Sequence, residues 1–556
     1  MGENSMKGTF SRWSIDWVGG RAWFLLMGGF ALLLIQAWLM TSDGAGGGPL
    51  QVNRGESTLY SLSMSPLGAL GSMRAALLTN VALLAIAGVM AARVLQRRWG
   101  SSAPLVMLVY VFGSVVFARS LIAEPQILLL TSTVLAFVSI SRAERPLAHD
   151  TPEIYHEPNL LPRVILRWFF AGLLLGIPAV HDPIYLCLFL PALASLPRSN
   201  KGWAAGSFVV GALVLAGLLF AATDLRGSDD GSISDRHAEV SSASHQADPS
   251  GESPGSILEG LGRRLQRHES LQRLSVLPDW ELLGWNGLYF LVGRNLGILP
   301  YFIPLLLILA GWGTSWRETV LVGTVVLAAI LALWLHPFNF SGEAGGLGNG
   351  RFLPLYGALW LLPTKRVRPV GIFAVTILAA IFLWPVWASP QRATHRSIGT
   401  AWYAAEIPFR FLPYEMSQRG LPQFGSLRRQ GLLVRCLTPS IEYSEAKDRL
   451  VLFGGRWGEI LISSEVEFGS VVLDFDKSAS TELEVSGGEV TGTIFRPDGR
   501  VAFQIEVEQP HASYPEPDSG RSSYHYRLRL RMEGSETAVF SVKGVNIEEK
   551  SGFTSR

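Results

Sequence analysis

Apolar runs separated by short polar connections occupy the first 388 residues of the chain. A hydrocarbon core of roughly 30 Å needs about 20 helical residues, and each run reaches that length, the shorter ones with their flanking residues. The pattern therefore predicts a polytopic α-helical membrane domain over 1–388 with about eleven spans. The predicted spans are 22–40, 75–92, 104–118, 123–140, 165–180, 183–197, 203–222, 297–313, 319–336, 352–364 and 370–388.

Lysine and arginine are distributed unevenly among the connections. With a cytoplasmic N-terminus, sixteen fall on the cytosolic side: Lys7, Arg12, Arg21, Arg93, Arg97, Arg98, Arg142, Arg145, Arg163, Arg167, Arg198, Lys201, Arg317, Lys365, Arg366 and Arg368. The short opposite connections hold four: Arg54, Arg74, Arg119 and Arg351. Because cytosolic connections are enriched in positive charge, this bias places the loop 223–296 and the tail from 389 onward on the exoplasmic side. We interpret the first run as an uncleaved helix, since no small-residue cleavage site follows it.

The tail from residue 389 onward has two parts that differ in composition and in residue pattern. Residues 389–428 are rich in Pro, Arg and aromatic residues without sustained period, which indicates an interfacial connector. Residues 429–556 contain β-branched, often alternating runs separated by Gly, Asp, Pro or Ser, which predicts an all-β exoplasmic domain, a β-sandwich or jelly roll. The strand-like runs are 459–463, 470–475, 492–495, 501–507, 524–531 and 538–542. Such domains commonly bind carbohydrate, although a fold alone does not establish a function.

The long loop 223–296 has two predicted parts. Residues 224–253 are rich in Ser, Asp and Gly and are typical of a mobile segment, whereas 257–283 has the pattern of an amphipathic helix on a membrane surface. His237, His245 and His268 lie among aspartates here. Without tight spacing a solvated loop is favoured over a metal cluster. We therefore predict no metal site.

Composition narrows the function classes. The chain is 48% hydrophobic and 17% charged, with a net charge of +2. This suits a membrane protein with an appended soluble domain and excludes a nucleic-acid-binding surface. The two cysteines, Cys187 and Cys436, fall in regions too different to form a disulfide framework.

Candidate chemistry lies at the predicted exoplasmic ends of the spans. Asp43 directly follows the first span among glycines, which leaves its carboxylate accessible as a general base. The alternative is that Asp43 only ends the helix in water. Glu56 is the next acid in that loop. Arg119 and Glu124 mark the second exoplasmic turn, where they are alternatively an interfacial anchor and a helix-terminal charge.

Three more polar segments lie on that side. His181 and Asp182 form a tight turn before Pro183, and Arg294 precedes the eighth span within Gly293-Arg294-Asn295. The densest segment is 336–352, in which five glycines accompany Asn349 and Arg351. Such a backbone can approach an anion while the arginine binds it as a fork. The alternative is a flexible hairpin with an anchoring arginine.

The order of these segments resembles a family. An early exoplasmic carboxylate, the turn from Arg119 to Glu124, the run 172–176 before a polar hairpin, the run 293–301 and above all 348–356 are similar to the GT-C membrane glycosyltransferases. The resemblance covers about 20–388 and is to a bacterial branch of the superfamily that includes protein O-mannosyltransferases and aminoarabinose transferases. It implies an integral protein of the bacterial inner membrane, with the C-terminal domain periplasmic or extracellular.

The resemblance also implies a reaction. A sugar would pass from a polyprenyl-phosphate donor to an exoplasmic glycan, lipid or protein acceptor. Asp43 would be the catalytic base with Glu56 as the next candidate, Arg294 and Arg351 would bind the lipid phosphate, and His181 would support the acceptor. A divalent cation, Mg²⁺ or Mn²⁺, stays open as a cofactor. Many relatives carry two adjacent acids where Gly44 follows Asp43 here. A non-catalytic membrane scaffold or glycan-binding envelope component is therefore the alternative.

Overall fold

The chain divides into two compact units in a computed structural model. The model describes residues 3–39, 72–122, 124–143, 160–196, 202–215, 279–313, 315–342, 347–363, 365–366, 368–388, 412–418, 425–429, 431–438, 440–444, 448–476, 483–495, 497, 500–507, 512–515, 522–532 and 537–545. The helical unit comprises Met1–Pro278, Ile298–His336 and Asn349–Leu383. The β unit comprises Asp279–Gly297, Pro337–Gly348 and Trp384–Arg556. The predicted boundaries at 388 and 428 stay predictions.

The described residues between 3 and 388 lie mainly in helices. In chain order they are α1 (Glu3–Leu39), α2 (Ser72–Trp99), α3 (Ala103–Phe112), α4 (Val116–Arg119), α5 (Gln126–Ala143), α6 (Leu160–His181), α7 (Phe189–Ala194), α8 (Gly202–Leu215), α9 (Trp280–Val292), α10 (Ile298–Tyr301), α11 (Leu305–Ala310), α12 (Trp316–Leu335), α13 (Phe352–Leu359) and α14 (Pro369–Ala388). The 3₁₀ turns Gly100–Ser102 and Pro183–Leu188 precede α3 and α7.

Four helical stretches in the described residues are long and apolar enough to cross a membrane: Arg21–Leu39, Ala75–Phe112, Pro162–His181 and Trp316–Leu335. Four shorter apolar helices are Gln126–Arg142, Pro183–Ala194, Gly202–Leu215 and Pro369–Trp384. The prediction of a helical N-terminal half with helices long and apolar enough to cross a membrane is thereby confirmed. The count of eleven spans stays a prediction.

Several predicted spans are interrupted. The run 104–118 ends its first helix at Phe112 and resumes as the single turn α4, with Gly113 at the break. The run 297–313 is divided into α10 and α11, and α11 starts after Pro304. Proline has no backbone N–H to continue a helical hydrogen-bond ladder. Hydropathy averages over such breaks and therefore predicted continuous helices.

Small residues allow α6 and α8 to pack backbone to backbone. A Cβ atom added at Gly172 would overlap the Phe208 carbonyl, and one added at Gly211 would overlap the Phe169 carbonyl. Trp168 and Phe208 pack edge to face beside this contact, with ring centroids 6.1 Å apart. Close packing through glycine is typical of helices in membranes, where dispersion replaces the hydrophobic effect as the driving force.

The β unit contains two open antiparallel sheets. The strands are β1 (Ser426–Arg429), β2 (Leu432–Cys436), β3 (Ile441–Ser444), β4 (Arg449–Leu452), β5 (Gly458–Ser464), β6 (Ser470–Phe475), β7 (Leu483–Ser486), β8 (Glu489–Phe495), β9 (Val501–Glu506), β10 (Ala512–Pro515), β11 (Ser522–Met532) and β12 (Ala538–Val545). One sheet has the order β1-β2-β5-β11-β10, with β7 also paired to β11. The other has the order β3-β4-β12-β6-β9-β8.

Alternation along the strands builds one buried core from both sheets. Ile460 and Ile462 of β5, Leu528 and Leu530 of β11 and Phe540 of β12 belong to the same buried cluster. Successive side chains of a strand point to opposite faces, so alternate residues of each strand lie on its buried face. All six strands predicted from the sequence are present, which confirms the C-terminal all-β region. The closer assignment to a sandwich or jelly roll stays a prediction.

The β unit also includes a helix that the sequence analysis did not predict. Helix α9 lies in the predicted loop 223–296 and begins after Asp279, whose side chain accepts hydrogen bonds from the N–H groups of Glu281 and Leu282. An N-cap of this kind satisfies donors that have no partner within the helix. The predicted mobile segment 224–253, the amphipathic pattern up to residue 278 and most of the connector lie outside the described residues.

Candidate functional site

Two apolar helices of the helical unit end at the same polar cluster. Helix α6 ends at His181, and Asp182 follows it as the cap of the next 3₁₀ turn, where one carboxylate oxygen accepts from the Ile184 N–H at 3.0 Å. Helix α12 ends at Leu335 and is followed by His336. The sequence predicts both ends to be exoplasmic. Asp182 is the point where these ends meet.

We call Asp182, His336 and Arg351 the Asp182 cluster. The Arg351 Nε donates to the Asp182 Oδ2 at 2.9 Å, and the His336 Nε2 lies 3.7 Å from the same oxygen. The Asp182 side chain is 9% exposed and that of Arg351 is 17% exposed. A charge-assisted hydrogen bond at this burial fixes the plane of the guanidinium group. His181 lies within electrostatic range of both Asp182 and Arg351.

The backbone of the glycine-rich turn holds Arg351 in place. The Tyr185 hydroxyl donates to the Arg351 carbonyl at 2.9 Å. The Asn349 Oδ1 accepts from the Phe352 N–H at 3.1 Å, at the start of α13. Gly348 has a φ of 71°, a left-handed conformation that favours glycine. Arg351 therefore lies at a helix N-terminus, where the backbone dipole favours an anion.

Asn349 contributes an unused donor. Its side chain is completely buried, and within the described residues its Nδ2 has no hydrogen-bond partner. A buried donor without a partner costs about 1–3 kcal/mol. Buried donors in native folds usually have a hydrogen-bond acceptor, and a bound anion or a water molecule would supply one for the Asn349 Nδ2.

The second predicted pair lies next to this turn. Arg119 is buried, and its Nη1 is 3.0 Å from the Glu124 Oε2. The Asn80 Nδ2 of α2 donates to the carbonyls of Ile122 and Glu124, at 2.7 and 3.3 Å. Gln126 then begins α5 and packs so closely on Gly350 that an added Cβ would overlap its side-chain amide. The turn 119–126 and the turn 348–352 are therefore neighbours.

Arg294 lies elsewhere, in the β unit. Its Nη1 donates to the Glu459 Oε2 at 2.7 Å, and Arg527 and Arg529 bind the same carboxylate. Burial alone would raise the pKa of Glu459, but Arg294 and Arg527 outweigh it and lower the pKa to about 2. Glu459 is therefore ionised at neutral pH. The predicted role of Arg294 in phosphate binding stays a prediction, while its observed partner is a carboxylate.

A second carboxylate fixes the segment around Arg294. Glu415 is fully buried and accepts from the N–H groups of Asn295 and Leu296, at 2.6 and 2.7 Å. Its other oxygen accepts from the Asn295 side chain at 2.9 Å. Burial raises the pKa of Glu415, although these hydrogen bonds oppose the shift. The Gly293-Arg294-Asn295 motif thus has a structural explanation inside the β unit.

The remaining predicted residues are distributed as follows. Asp43 and Glu56 lie outside the described residues. The structure pairs Arg119 with Glu124. It separately brings Arg351 to Asp182, which follows His181, and Asn349 lies in the same turn as Arg351. Sequence reasoning missed Asn80, Gln126 and the partnership of His336 with Asp182. Asn80 carried a signal, since an isolated amide in an apolar helix requires a partner.

Possible metal ligands and similarity to known proteins give no further information on the function of this site in the part of the chain that the structure describes. Among the described residues, no group of three or more His, Cys, Asp or Glu side chains is arranged to hold a metal ion. Comparisons of the chain with protein-family models, with curated proteins and with solved structures find no match. The function is therefore inferred from the residues of the site alone.

Proposed function

We propose that the protein is a GT-C-like membrane glycosyltransferase that moves a sugar from a polyprenyl-phosphate donor to an exoplasmic glycan, lipid or protein. The observation that carries the proposal is the convergence of two apolar helices on Asp182, which binds Arg351 at the start of α13. A charged pair as little exposed as Asp182 and Arg351 is costly to remove from water, so it calls for a functional or structural reason. A phosphate at the membrane interface is a ligand that suits a fixed guanidinium group and a helix N-terminus.

Roles follow from the chemistry of the reaction. Arg351 would bind the lipid phosphate, where negative charge develops as the sugar leaves, and Asn349 would offer it a buried donor. Asp182 would orient Arg351, and Arg119 with Glu124 would support the adjacent turn. Asp43 would accept the proton of the acceptor hydroxyl. Arg294 is not needed for this arrangement, because it is paired with Glu459 in the β unit.

The proposal includes a finer architecture. We propose about eleven membrane-spanning segments in a bacterial inner membrane, a cytoplasmic N-terminus and an exoplasmic C-terminal region. The two open sheets would face each other as a β-sandwich. Their single shared core supports this arrangement, and the charge bias of the connections supports the orientation.

The test separates donor binding from transfer. Full-length protein in lipid nanodiscs would be titrated with undecaprenyl phosphate and assayed with a panel of polyprenyl-phosphate sugars. Arg351→Ala should weaken binding of the lipid phosphate by about 2–3 kcal/mol, and Arg351→Lys should recover little because lysine lacks the planar fork. Asp43→Asn should leave binding intact and reduce transfer by about 10²–10⁴-fold.

Glu484→Gln is a matched control. This glutamate pairs with Arg531 on the half-exposed surface of the β unit and should change neither quantity. Unchanged lipid-phosphate binding in both Arg351 variants would return Arg351 to an anchoring role. Full transfer by Asp43→Asn would remove Asp43 as the base and make Glu56 the next candidate.

A second candidate is a non-catalytic scaffold or glycan-binding component of the cell envelope. It is favoured by β8, an outer strand of its sheet, where Phe495 is 66% exposed and Ile494 is 40% exposed. An exposed ring can stack on a sugar face. On this reading Phe495→Ala should abolish glycan retention, whereas Asp43→Asn should have no effect.

A further inference from the structure

Four arginines from three helices converge at one end of the helical unit. Arg93 and Arg97 belong to α2, Arg142 to the last turn of α5 and Arg167 to α6. We call these four residues the arginine cluster. The side chain of Arg142 contacts Met90, one turn before Arg93 on α2, and the Arg142 carbonyl accepts a hydrogen bond from Arg167. Arg93 and Arg97 are four residues apart and share one face of α2. The cluster is built by tertiary packing, since its members are up to 74 residues apart, from Arg93 to Arg167.

The cluster is not neutralised by the residues around it that the structure describes. The charges that act on Arg142 are those of Arg167, Arg97 and Arg93, all of the same sign. Arg167 uses its Nη1 to donate to the Arg142 carbonyl at 2.6 Å, at the end of α5. Arg142 itself has a weak contact with the Met90 sulfur at 3.8 Å. Four guanidinium groups repel one another and attract an anion to the same location.

Positive charge at a cytosolic helix end does not by itself explain this geometry. The charge bias needs arginines near the ends of spans, but it does not need them to converge. Arg142 and Arg167 are half-buried between helices, whereas Arg93 and Arg97 are exposed. The cluster therefore has an inner pair and an outer pair around one location.

The surface beside the cluster is apolar. On α6, Leu166 is 54% exposed and Phe170 is 46% exposed, one and three residues from Arg167. On α2, Ile86 is 50% exposed, two turns before Arg93. Both helices continue into stretches that are long and apolar enough to cross a membrane. An anion that settles on the cluster would thus have hydrocarbon-compatible surface next to it.

We propose that the arginine cluster binds the phosphate headgroup of an anionic phospholipid of the cytosolic leaflet, with the acyl chains along the exposed apolar side chains of α6. Basic pockets between membrane helices on the cytosolic side suit such headgroups. A lipid fits better than a soluble anion, because its acyl chains would cover the apolar surface beside the arginines, whereas a free phosphate would leave that surface exposed. The inference does not depend on the proposed glycosyl transfer, and only its leaflet rests on the orientation proposed above.

The test compares lipid retention by full-length variants. Protein purified in detergent would be mixed with phosphatidylglycerol or phosphatidylcholine, and bound lipid would be counted by native mass spectrometry. Phosphatidylglycerol should be retained and phosphatidylcholine should not. The double variant Arg93→Gln and Arg97→Gln, which removes only exposed side chains, should reduce phosphatidylglycerol affinity by about thirtyfold, as expected for two arginines at a lipid surface. Arg142→Gln should reduce it as a single variant.

The control has the same charge change on the same predicted face. Arg317→Gln with Arg368→Gln removes two positive charges outside the cluster and should retain phosphatidylglycerol like the unaltered protein. If cluster and control variants lost phosphatidylglycerol equally, net charge alone would explain the retention, and the proposal would be overturned. Unchanged retention in the cluster variants would also overturn it. Displacement of the lipid by millimolar inorganic phosphate would assign the site to a soluble anion instead.

Discussion

At the scale of single residues, the choice of partner decides what each buried arginine can do. Arg294 shares the Glu459 carboxylate with two other arginines in the β unit, where both side chains of the pair are at most 5% exposed. Arg351 shares Asp182 with a histidine instead, at a helix N-terminus. Loss of a carboxylate from among buried guanidinium groups destabilises a fold, whereas a helix N-terminus such as the one at Arg351 favours an anion.

Replacing Glu459 with glutamine should destabilise the β unit. Glu459→Gln leaves Arg294 and Arg527 buried without a counter-charge, which typically costs about 3–5 kcal/mol in the free energy of unfolding. Labelling of the core thiol Cys436, in a Cys187→Ala background, measures opening of this unit in the full-length protein. The control Glu484→Gln removes a half-exposed pair with Arg531 and should cost less than about 1 kcal/mol.

The ion pairs of Glu459 with its arginines should also make the stability of the β unit depend on pH. The pKa of Glu459 is depressed from 4.5 to about 2. The stabilisation is therefore present above pH 4.5 and is lost as the pH falls from 4.5 towards 2. The difference in melting temperature between the unaltered protein and Glu459→Gln should shrink across that window. A difference that stays constant from pH 7 to pH 2 would contradict the assignment of the charge to Glu459.

At the scale of elements, the hydropathy pattern predicted the longer strands and the apolar helices, but it missed short strands and breaks within helices. The strands β5, β6, β9, β11 and β12 were predictable because each buries alternate residues or a continuous apolar run. The largely exposed edge strand β8 was predictable instead from its β-branched and aromatic residues. The four-residue strands β1, β3, β4, β7 and β10 are too short to show a period. Helix α9 was missed because its cap at Asp279 follows a polar loop.

The candidate site was only partly predictable for a related reason. Sequence reasoning named Asp182 and Arg351 separately, since each stands at the end of an apolar run. It could not pair them, because 169 residues separate them along the chain and only packing brings them together. The role of Gly350 was equally hidden. A glycine in a turn signals conformational freedom, whereas here its missing side chain makes room for Gln126.

A methyl group at Gly350 should push Gln126 away. Gly350→Ala places a Cβ against a side chain that is only 4% exposed, and overpacking of this kind costs about 1–3 kcal/mol. Adding Gln126→Ala should recover most of the loss, because the clash disappears. Thermal unfolding of the four proteins in one detergent gives this double-mutant cycle.

Gly323→Ala is the control for Gly350→Ala. This glycine lies within α12, and a Cβ there meets nothing within 4 Å. Alanine favours a helix over glycine, so the control should be neutral or slightly stabilising. The close packing of the two turns would be disproved if Gly350→Ala melted like the control, or if Gln126→Ala gave no recovery.

At the scale of the whole molecule, charge and hydropathy predict which regions share a side of the membrane. The arginine cluster belongs to the face rich in Lys and Arg, and the Asp182 cluster to the face poor in them. Helix α6 separates the two, with Arg167 near its start and His181 at its end, 14 residues apart. At about 1.5 Å per residue this separation is about 21 Å. One helix thus links a predicted lipid site and a predicted phosphate site on opposite sides of the bilayer.

Cysteine labelling of intact cells tests this topology. In a chain with Cys187→Ala and Cys436→Ala, Ser242→Cys and Ser519→Cys should react with a membrane-impermeant maleimide, because both lie in predicted exoplasmic regions. Ser101→Cys, between α2 and α3 on the arginine-rich side, should react only after the membrane is opened. The expectation follows from sixteen basic residues on one side against four on the other. Reaction of Ser101→Cys in intact cells, with protection of Ser242→Cys and Ser519→Cys, would invert the topology, and the proposed phosphate site would then face the cytosol.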